Sequence, residues 1–226
     1  MRQFPKYSNT SVLLCDSESE GPCALALARS KTAVIRVGGG ELFDDLYRAV
    51  IDWNKEHGKK SGHRYEVIGG GAGTVSAVGG WLQGGGLSTG LERLWGVGVD
   101  QVLEIEMVLP DATHVKFGPS AWQTREGFLY PQTTEVTGKC NKNVVEDESK
   151  WDWQDCTKSI SFEDLWFAVR GGGGGTYGIV TAVHYQLHEL WDSKVVGINF
   201  NQTMALLYAW DEKSADYLVW TLKYEI

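Results

Sequence analysis

The segment "FEDLWFAVRGGGGGTYGIVTAVHYQL" spans residues 162–187 and places five consecutive glycines between two regular patterns. Ser161 is a candidate N-cap, and residues 162–170 predict a short helix that the glycines end. Residues 179–187 alternate, with Ile179, Val183 and Leu187 on one face, and predict a strand. Glycine loses more backbone entropy on ordering than any other residue, so five in a row indicate that bare backbone is needed here.

The glycine run also contains a G-x-G-x-x-G pattern, at Gly173, Gly175 and Gly178. In a Rossmann site a strand enters the glycine turn and a helix leaves it, so that the helix N-terminus faces the pyrophosphate. Here a helix enters and a strand leaves, which argues against a Rossmann site. A second near-match, "GAGTVS" at 71–76, has Ser76 in place of the third glycine and no clear helix after it.

Composition limits the classes of partner. The chain has 226 residues, 42% of them hydrophobic, and a formal net charge of −8 with no basic cluster. This charge excludes a nucleic-acid backbone or an anionic membrane as the expected partner and favours a small-molecule substrate. No apolar run approaches the roughly 20 residues of a membrane span, and the first residues do not resemble a signal peptide.

The coarse element pattern predicts an α+β fold. Strands are expected at 32–37, 65–68, 101–109, 113–117 and 179–187, and helices at 41–57 and 162–170. Leu103, Ile105 and Met107 are predicted to share the buried face of their strand. Residues 1–31 are interpreted as a loosely structured lead-in, 32–190 as one domain, 191–226 as the start of another, and 118–160 as a long polar loop.

Cysteines and histidines give no metal signature. The four cysteines lack C-x-x-C spacing, and the five histidines lack triad or metal spacing, so no metal site is predicted and surface or strand positions are expected for the histidines. Cys140 and Cys156 bracket part of the polar loop, and a disulfide there would contribute about 3 kcal/mol in an oxidising compartment. Free thiols are the alternative. Sequons at Asn9 and Asn201 favour a secretory compartment, and localisation stays open.

Three glycine clusters, 69–73, 79–86 and 171–178, each adjoin a predicted strand. Backbone bared by glycine forms anion cradles and lets a flat ring approach closely. Any one cluster alone is better explained as a tight β-connection without a ligand. The three together favour a long ligand that has both a phosphate bridge and a flat ring, such as a dinucleotide.

Three segments carry a resemblance to a known family: "VIGGGAGTVSAVGGWLQGGGLS" at 67–88, "GVGVDQVLEIEMVLPDA" at 96–112 and "DLWFAVRGGGGGTYGIVTAV" at 164–183. In order and spacing they resemble the second subdomain of the FAD-binding PCMH-type domain of the vanillyl-alcohol oxidase/p-cresol methylhydroxylase family, in its berberine-bridge-enzyme-like branch. The resemblance covers about residues 32–190. It implies an FAD-dependent oxidoreductase that transfers hydride from an alcohol, sugar or amine carbon to flavin and is reoxidised mostly by O₂.

The resemblance also implies which residues line the cofactor. The flavin and ribityl-phosphate region would be lined by Gly70, Gly71, Thr74, Val75, Ser76, Gly79 and Gly80, and continued by Gln83, Gly84, Gly85, Gly86 and Leu87. The adenine end would be lined by Gly178, Ile179 and Val180. We further expect a β-branched residue at position 178 to abolish FAD retention while sparing much of the fold.

The chain departs from the family at positions that matter for attachment. Ala72 stands where doubly linked members have a cysteine, and Leu87 where relatives often have a histidine. The family's N-terminal subdomain, with its pyrophosphate loop and flavin-linked histidine, is expected to be largely missing. "SGH" at Ser61–His63 imitates that loop but occupies the position of a surface loop. Non-covalent FAD is therefore expected.

The sequence leaves three hypotheses for the function of the whole chain. The family's substrate domain would begin near residue 191 and supply the base, so no catalytic residue is assigned. The first reading is an oxidoreductase segment, and the second is a truncated, non-catalytic FAD-binding remnant or incomplete gene model. The third, a non-flavin nucleotide module, requires a helix after a glycine loop. Residues 1–226 alone are expected to hold FAD weakly.

Overall fold

The computed structural model describes residues 10–88, 92–172, 174–190, 195–200 and 203–208. Its backbone forms two compact units, Met1–Glu189 and Leu190–Ile226. In the second unit, strands β10 (Val195–Phe200) and β11 (Thr203–Tyr208) pair as an antiparallel hairpin. Within the described residues, no helix is both long and apolar enough to cross a membrane.

The first unit is built on a seven-stranded antiparallel sheet with strand order β1-β2-β8-β4-β5-β6-β7. These strands are β1 (Ser11–Leu14), β2 (Ala33–Gly38), β4 (Val102–Val108), β5 (His114–Gln123), β6 (Gln132–Asn141), β7 (Trp153–Gln154) and β8 (Ile179–Gln186). A separate pair joins β3 (Tyr65–Glu66) to β9 (His188–Glu189).

Among the described residues, five helices accompany the sheet: α1 (Pro22–Ala28), α2 (Phe43–Ser61), α3 (Gly80–Gln83), α4 (Glu92–Trp95) and α5 (Phe162–Val169). Two short 3₁₀ segments, Gly98–Gln101 and Glu148–Lys150, precede β4 and β7. The Ser161 hydroxyl accepts a hydrogen bond from the Asp164 N–H at 3.4 Å, which confirms the predicted N-cap of α5. The α+β class is confirmed.

The main core lies between one face of the sheet and helices α2, α3 and α5. Phe43, Leu46 and Val50 of α2 are buried there because they recur at helical spacing. From the strands, the core contains Ile35, Val37, Ile105, Met107, Val115, Phe117, Val183 and Tyr185. Burial of each large side chain stabilises the fold by about 1.5–3 kcal/mol relative to exposure.

Helix α1 covers part of the opposite face. Cys23, Leu25 and Ala26 pack there against Val34 and Leu103. A disulfide between Cys15 and Cys23 links the end of β1 to α1. The predicted loose lead-in is therefore wrong for residues 10–31. A four-residue strand and a seven-residue helix are too short to give a clear periodic pattern.

The prediction that Leu103 shares one face of its strand with Ile105 and Met107 is also wrong. The pairing of β4 with β8 shifts register between Val102 and Glu104. Such an irregularity reverses the alternation of side chains, so Leu103 packs beneath α1 while Ile105 and Met107 stay in the main core. Sequence alternation alone does not reveal this shift.

The predicted polar loop 118–160 is largely folded. Strand β5 continues to Gln123, and β6 pairs with it over its whole length before β7 closes the sheet. Most side chains of β6 are polar or exposed, so its sequence lacks an apolar alternation. The Cys140–Cys156 disulfide joins β6 to the segment after β7, with a Cα–Cα distance of 5.0 Å, and confirms that prediction.

Candidate functional site

Two of the predicted glycine clusters lie side by side. The side-chain oxygen of Gln83 accepts a hydrogen bond from the Gly175 N–H at 2.8 Å, across 92 positions of sequence. A Cβ placed on Gly171 would lie 3.9 Å from the Cα of Gly85. The structure therefore brings clusters 79–86 and 171–178 together, as one extended ligand would require.

The first cluster is held by the start of α2. The N–H groups of Phe43 and Asp44 each donate at 3.0 Å, to the carbonyls of Val75 and Gly73. The Tyr47 hydroxyl donates to the Gly70 carbonyl at 2.6 Å. Burial, with the charge of Asp44, raises the pKa of Tyr47 to about 12, so this hydroxyl remains a donor at neutral pH. Sequence reasoning missed Tyr47, although it lies one helical turn after Phe43.

The loop after β2 contacts both the segment that follows the first cluster and the start of β8. The Gly39 N–H donates to the Thr181 carbonyl at 2.6 Å. Two residues later the Glu41 carbonyl accepts from the Ala77 N–H at 3.3 Å, and Leu42 forms a bridge with Ser76. The predicted residues around Ser76 and around Val180 therefore border the same loop.

Several of these glycines are required by the fold itself. A Cβ on Gly69 or Gly73 would collide with the side chains of Tyr47 or Asp44. Gly86 has a φ of +77°, and its Cβ would lie 2.8 Å from the Cα of Gly98. Gly178 has a φ of +155°, with its Cβ directed to within 2.5 Å of the Val108 carbonyl. Backbone packing explains these positions without a ligand.

Gly80 differs from these glycines. It is exposed at the first position of α3, its φ lies outside the left-handed region, and a Cβ there would meet nothing within 4 Å. Glycine inside a helix is less favourable than alanine by about 1 kcal/mol. The fold therefore does not require glycine at position 80, whereas a ligand lying against the backbone would.

These loops and the start of β8 expose several apolar side chains. Leu87, Ile179 and Val75 are 72%, 67% and 38% exposed. The Ser76 hydroxyl oxygen is buried and has no hydrogen-bond partner among the described residues. Bare backbone, apolar side chains and a spare hydroxyl fit a flat, partly polar ring such as a flavin. The residues predicted to line the cofactor include no cationic side chain that could bind a pyrophosphate.

Relatives of known class share this segment. The FAD-linked oxidoreductase notD of Aspergillus sp. (strain MF297-2) is 32% identical over 155 residues, which is 69% of this chain and 17% of that protein. The FAD-linked oxidoreductase easE of Trichophyton verrucosum is 34% identical over 147 residues, 65% of this chain and 16% of that protein. The chain is thus similar to a segment of FAD-linked oxidoreductases. The resemblance to PCMH-type, berberine-bridge-enzyme-like flavoproteins is thereby confirmed.

The similarity covers only part of each relative, because the chain spans about a fifth of the length of the curated relatives it matches. Among solved structures, it aligns with the VAO-type flavoprotein MtVAO615 of Myceliophthora thermophila C1 at 24% identity and a TM-score of 0.47. That alignment covers 80% of this chain and 22% of the other. No protein-family model matches the chain.

Within this segment, two outcomes differ from the sequence analysis. Gly178 contacts the backbone of β4, so the expectation that its substitution spares the fold is not supported by the structure. Trp81, to which no role was given, donates from Nε1 to the Leu87 carbonyl at 2.8 Å and packs against Gly86 and Gly98. A large side chain among many glycines is the sequence feature that could have indicated this packing role.

Proposed function

We propose that the chain forms one wall of the FAD site of an FAD-dependent oxidoreductase. The observation that carries the proposal is Gly80, a glycine that the fold does not require, in cluster 79–86, which lies beside cluster 171–178. Similarity to a segment of FAD-linked oxidoreductases supports FAD as the ligand.

The roles of the residues follow from their chemistry. The backbone of Gly70, Gly71 and Gly79–Gly80, with the Ser76 hydroxyl, would offer hydrogen-bonding groups to the flavin and its ribityl chain. Val75 and Leu87 would cover the ring and exclude water. The backbone of Gly178–Val180 would contact the adenine end, with Ile179 covering it.

Attachment through this segment would be non-covalent. Ala72 has no thiol and Leu87 no imidazole, so neither can bond to the flavin. His63, the imitation of the family's linked histidine, contacts Glu189 beside the small β3–β9 sheet and lies outside the proposed wall.

When bound, FAD would supply the redox chemistry, accepting hydride from an alcohol, sugar or amine carbon of a small organic substrate and being reoxidised by O₂. The residues of this chain would position the cofactor and keep water from it. Rigid support suits that task. It is provided by the hydrogen bond that Tyr47 of α2 donates to Gly70 and by the one that Gln83 accepts from Gly175.

Equilibrium titration tests the proposal. Residues 1–226 are added to FAD at neutral pH and the fluorescence anisotropy of the flavin is followed, with riboflavin as competitor. We expect weak but saturable binding, competition by riboflavin, and loss of the flavin on gel filtration. No anisotropy change at saturating protein contradicts the proposal, as does binding that riboflavin leaves unaffected.

A further inference from the structure

Three side chains of the types that bind metal ions meet on the sheet face that α1 partly covers. Ile105 of β4 and Val183 of β8 face the main core, so their neighbours Glu104, Glu106 and His184 lie on the opposite face. One carboxylate oxygen of each glutamate and a ring nitrogen of His184 all lie within 4.8 Å of one another. Sequence spacing did not indicate this cluster, because its members come from two strands that are far apart in the sequence.

The imidazole of His184 is placed where a cation is needed. Its Nδ1 is buried and forms no hydrogen bond with any of the described residues. The Oε1 of Glu104 lies 3.3 Å from this nitrogen, and the two form an ion pair only if His184 is protonated. The two side chains are 17% and 16% exposed, so little water can separate a nitrogen lone pair from a carboxylate oxygen. A cation shared by both atoms would remove this repulsion.

Glu106 can supply a third ligand atom and keep its present partner. Its two carboxylate oxygens each accept one hydrogen bond from Arg36, at 2.8 Å. An ionised carboxylate has about four lone-pair sites, so each oxygen retains one for a metal ion. Carboxylates that bind metals are themselves commonly hydrogen-bonded by a further residue. Arg36 would therefore hold Glu106 in a fixed orientation beside the ion.

The charges on this face favour a divalent cation. Arg36 is shared, because its Nη1 also pairs with Glu148 at 3.0 Å. With the two glutamates of β4, three carboxylates thus surround one guanidinium. Lys116 lies opposite Glu106 in the register, but its ammonium lies 5.1 Å from the ring centroid of Trp153 and pairs with no carboxylate of the described residues. Negative charge therefore exceeds the positive charge that is paired with it.

An ion can reach the cluster through a cavity. Glu104 lines a cavity of about 260 Å³ between the first turn of α1 and strands β4, β5 and β6. A water molecule takes up roughly 30 Å³ in the liquid, so this space can hold several. Waters on the cavity side would complete the coordination that three side chains leave open.

We propose that Glu104, Glu106 and His184 bind one Zn²⁺ ion, which joins β4 to β8 in the middle of the seven-stranded sheet. One imidazole and two carboxylates suit Zn²⁺, whereas Mg²⁺ and Ca²⁺ prefer sites made of oxygen alone. None of the three ligands belongs to the proposed flavin wall, so this is a separate site.

Calorimetric titration of residues 1–226 with ZnCl₂, after treatment with a chelator, tests this site. We expect one tightly bound Zn²⁺ per chain, and binding of Ca²⁺ weaker by at least about tenfold. Glu104→Gln and His184→Gln should each weaken Zn²⁺ binding by more than about tenfold, since losing even an outer partner of a metal ligand costs roughly 10–100-fold. His63→Gln is the matched control, because it removes an exposed histidine that also contacts a glutamate, Glu189, and it should leave the Zn²⁺ affinity unchanged.

X-ray absorption of the zinc-loaded, unmodified chain gives a second readout, in which we expect one imidazole and otherwise oxygen ligands. The proposal is overturned by the absence of a tight Zn²⁺ site, by equal affinity for Ca²⁺, or by an unchanged Zn²⁺ affinity in either variant. It is also overturned if His63→Gln weakens binding as much as His184→Gln does, or if the spectrum shows two imidazoles or a sulfur ligand. The absorption measurement remains decisive even if a variant does not fold.

Discussion

At the scale of single residues, the glycines of this chain divide into those that the fold needs and those that it leaves unexplained. Gly178 belongs to the first group, because its φ of +155° and its contact with the Val108 carbonyl leave no room for a side chain. Gly80 belongs to the second, since a Cβ there meets open space. Only a glycine that the fold does not require is evidence for a ligand.

We therefore expect Gly178→Val to destabilise the fold by about 2–4 kcal/mol, through backbone strain and overlap with β4. Urea denaturation of the variant beside Gly80→Ala, which should be unaffected, measures the difference. Equal denaturation midpoints for Gly178→Val and the unmodified chain would show that the contact with Val108 is not as close as described.

His188 is a buried histidine whose pKa is strongly lowered. It stacks on Trp95 with ring centroids 4.3 Å apart, and its Nε2 hydrogen-bonds the side-chain oxygen of Gln101 at 2.7 Å. Burial, followed by the charge of Lys31, lowers the pKa of His188 to about 3. The unfolded chain has an ordinary value of about 6.5, so the fold favours the neutral imidazole.

The lowered pKa of His188 makes the stability of the fold depend on pH. The contribution of His188 to stability is complete above pH 6.5 and is lost as pH falls toward 3, at up to about 1.4 kcal/mol per pH unit. Between pH 6.5 and 4.5 the loss should reach about 2–3 kcal/mol. Urea midpoints over that range should fall less steeply in His188→Gln, which keeps a donor for Gln101. Parallel curves for the two proteins would contradict the assignment.

At the scale of elements, the sequence pattern predicted the helices and strands that have periodic apolar side chains. Helix α2 and strands β2, β4 and β8 carry periodic buried side chains, and they were found close to the predicted bounds. Strand β6 and helix α1 were missed, because a strand whose side chains are mostly polar and a helix of two turns show no clear period. The contact between Gln83 and Gly175 could not be predicted, since it depends on how the sheet orders its strands.

The two disulfides should differ in their contribution to stability. Cys140–Cys156 closes a separation of 16 residues and Cys15–Cys23 one of 8. Loop-closure entropy then predicts losses of about 3 and about 2.5 kcal/mol on replacing each pair by alanine. Denaturant unfolding of the two double variants measures both values, and peptide mapping without reduction checks the pairing. Free thiols at Cys140 and Cys156 in oxidised material would contradict it.

At the scale of the whole molecule, the residues proposed to line FAD include no cationic side chain, whereas FAD carries a charged pyrophosphate. The relatives are several times longer than this chain. Each charge-assisted hydrogen bond that the wall does not supply is worth about 1.5–3 kcal/mol, so FAD should bind residues 1–226 weakly and reversibly. Exposed Leu87 and Ile179 should also make the chain prone to associate.

The claim that the glycine loops contact FAD is tested most directly by measuring FAD affinity and thermal unfolding on Gly80→Leu, with Gly80→Ala as the smaller step. Leucine at this open helical position should leave the unfolding temperature unchanged or slightly raised, because helix propensity improves by up to about 1 kcal/mol. The account predicts that the same substitution abolishes FAD binding, and that alanine weakens it. An unchanged FAD affinity in Gly80→Leu would contradict the account.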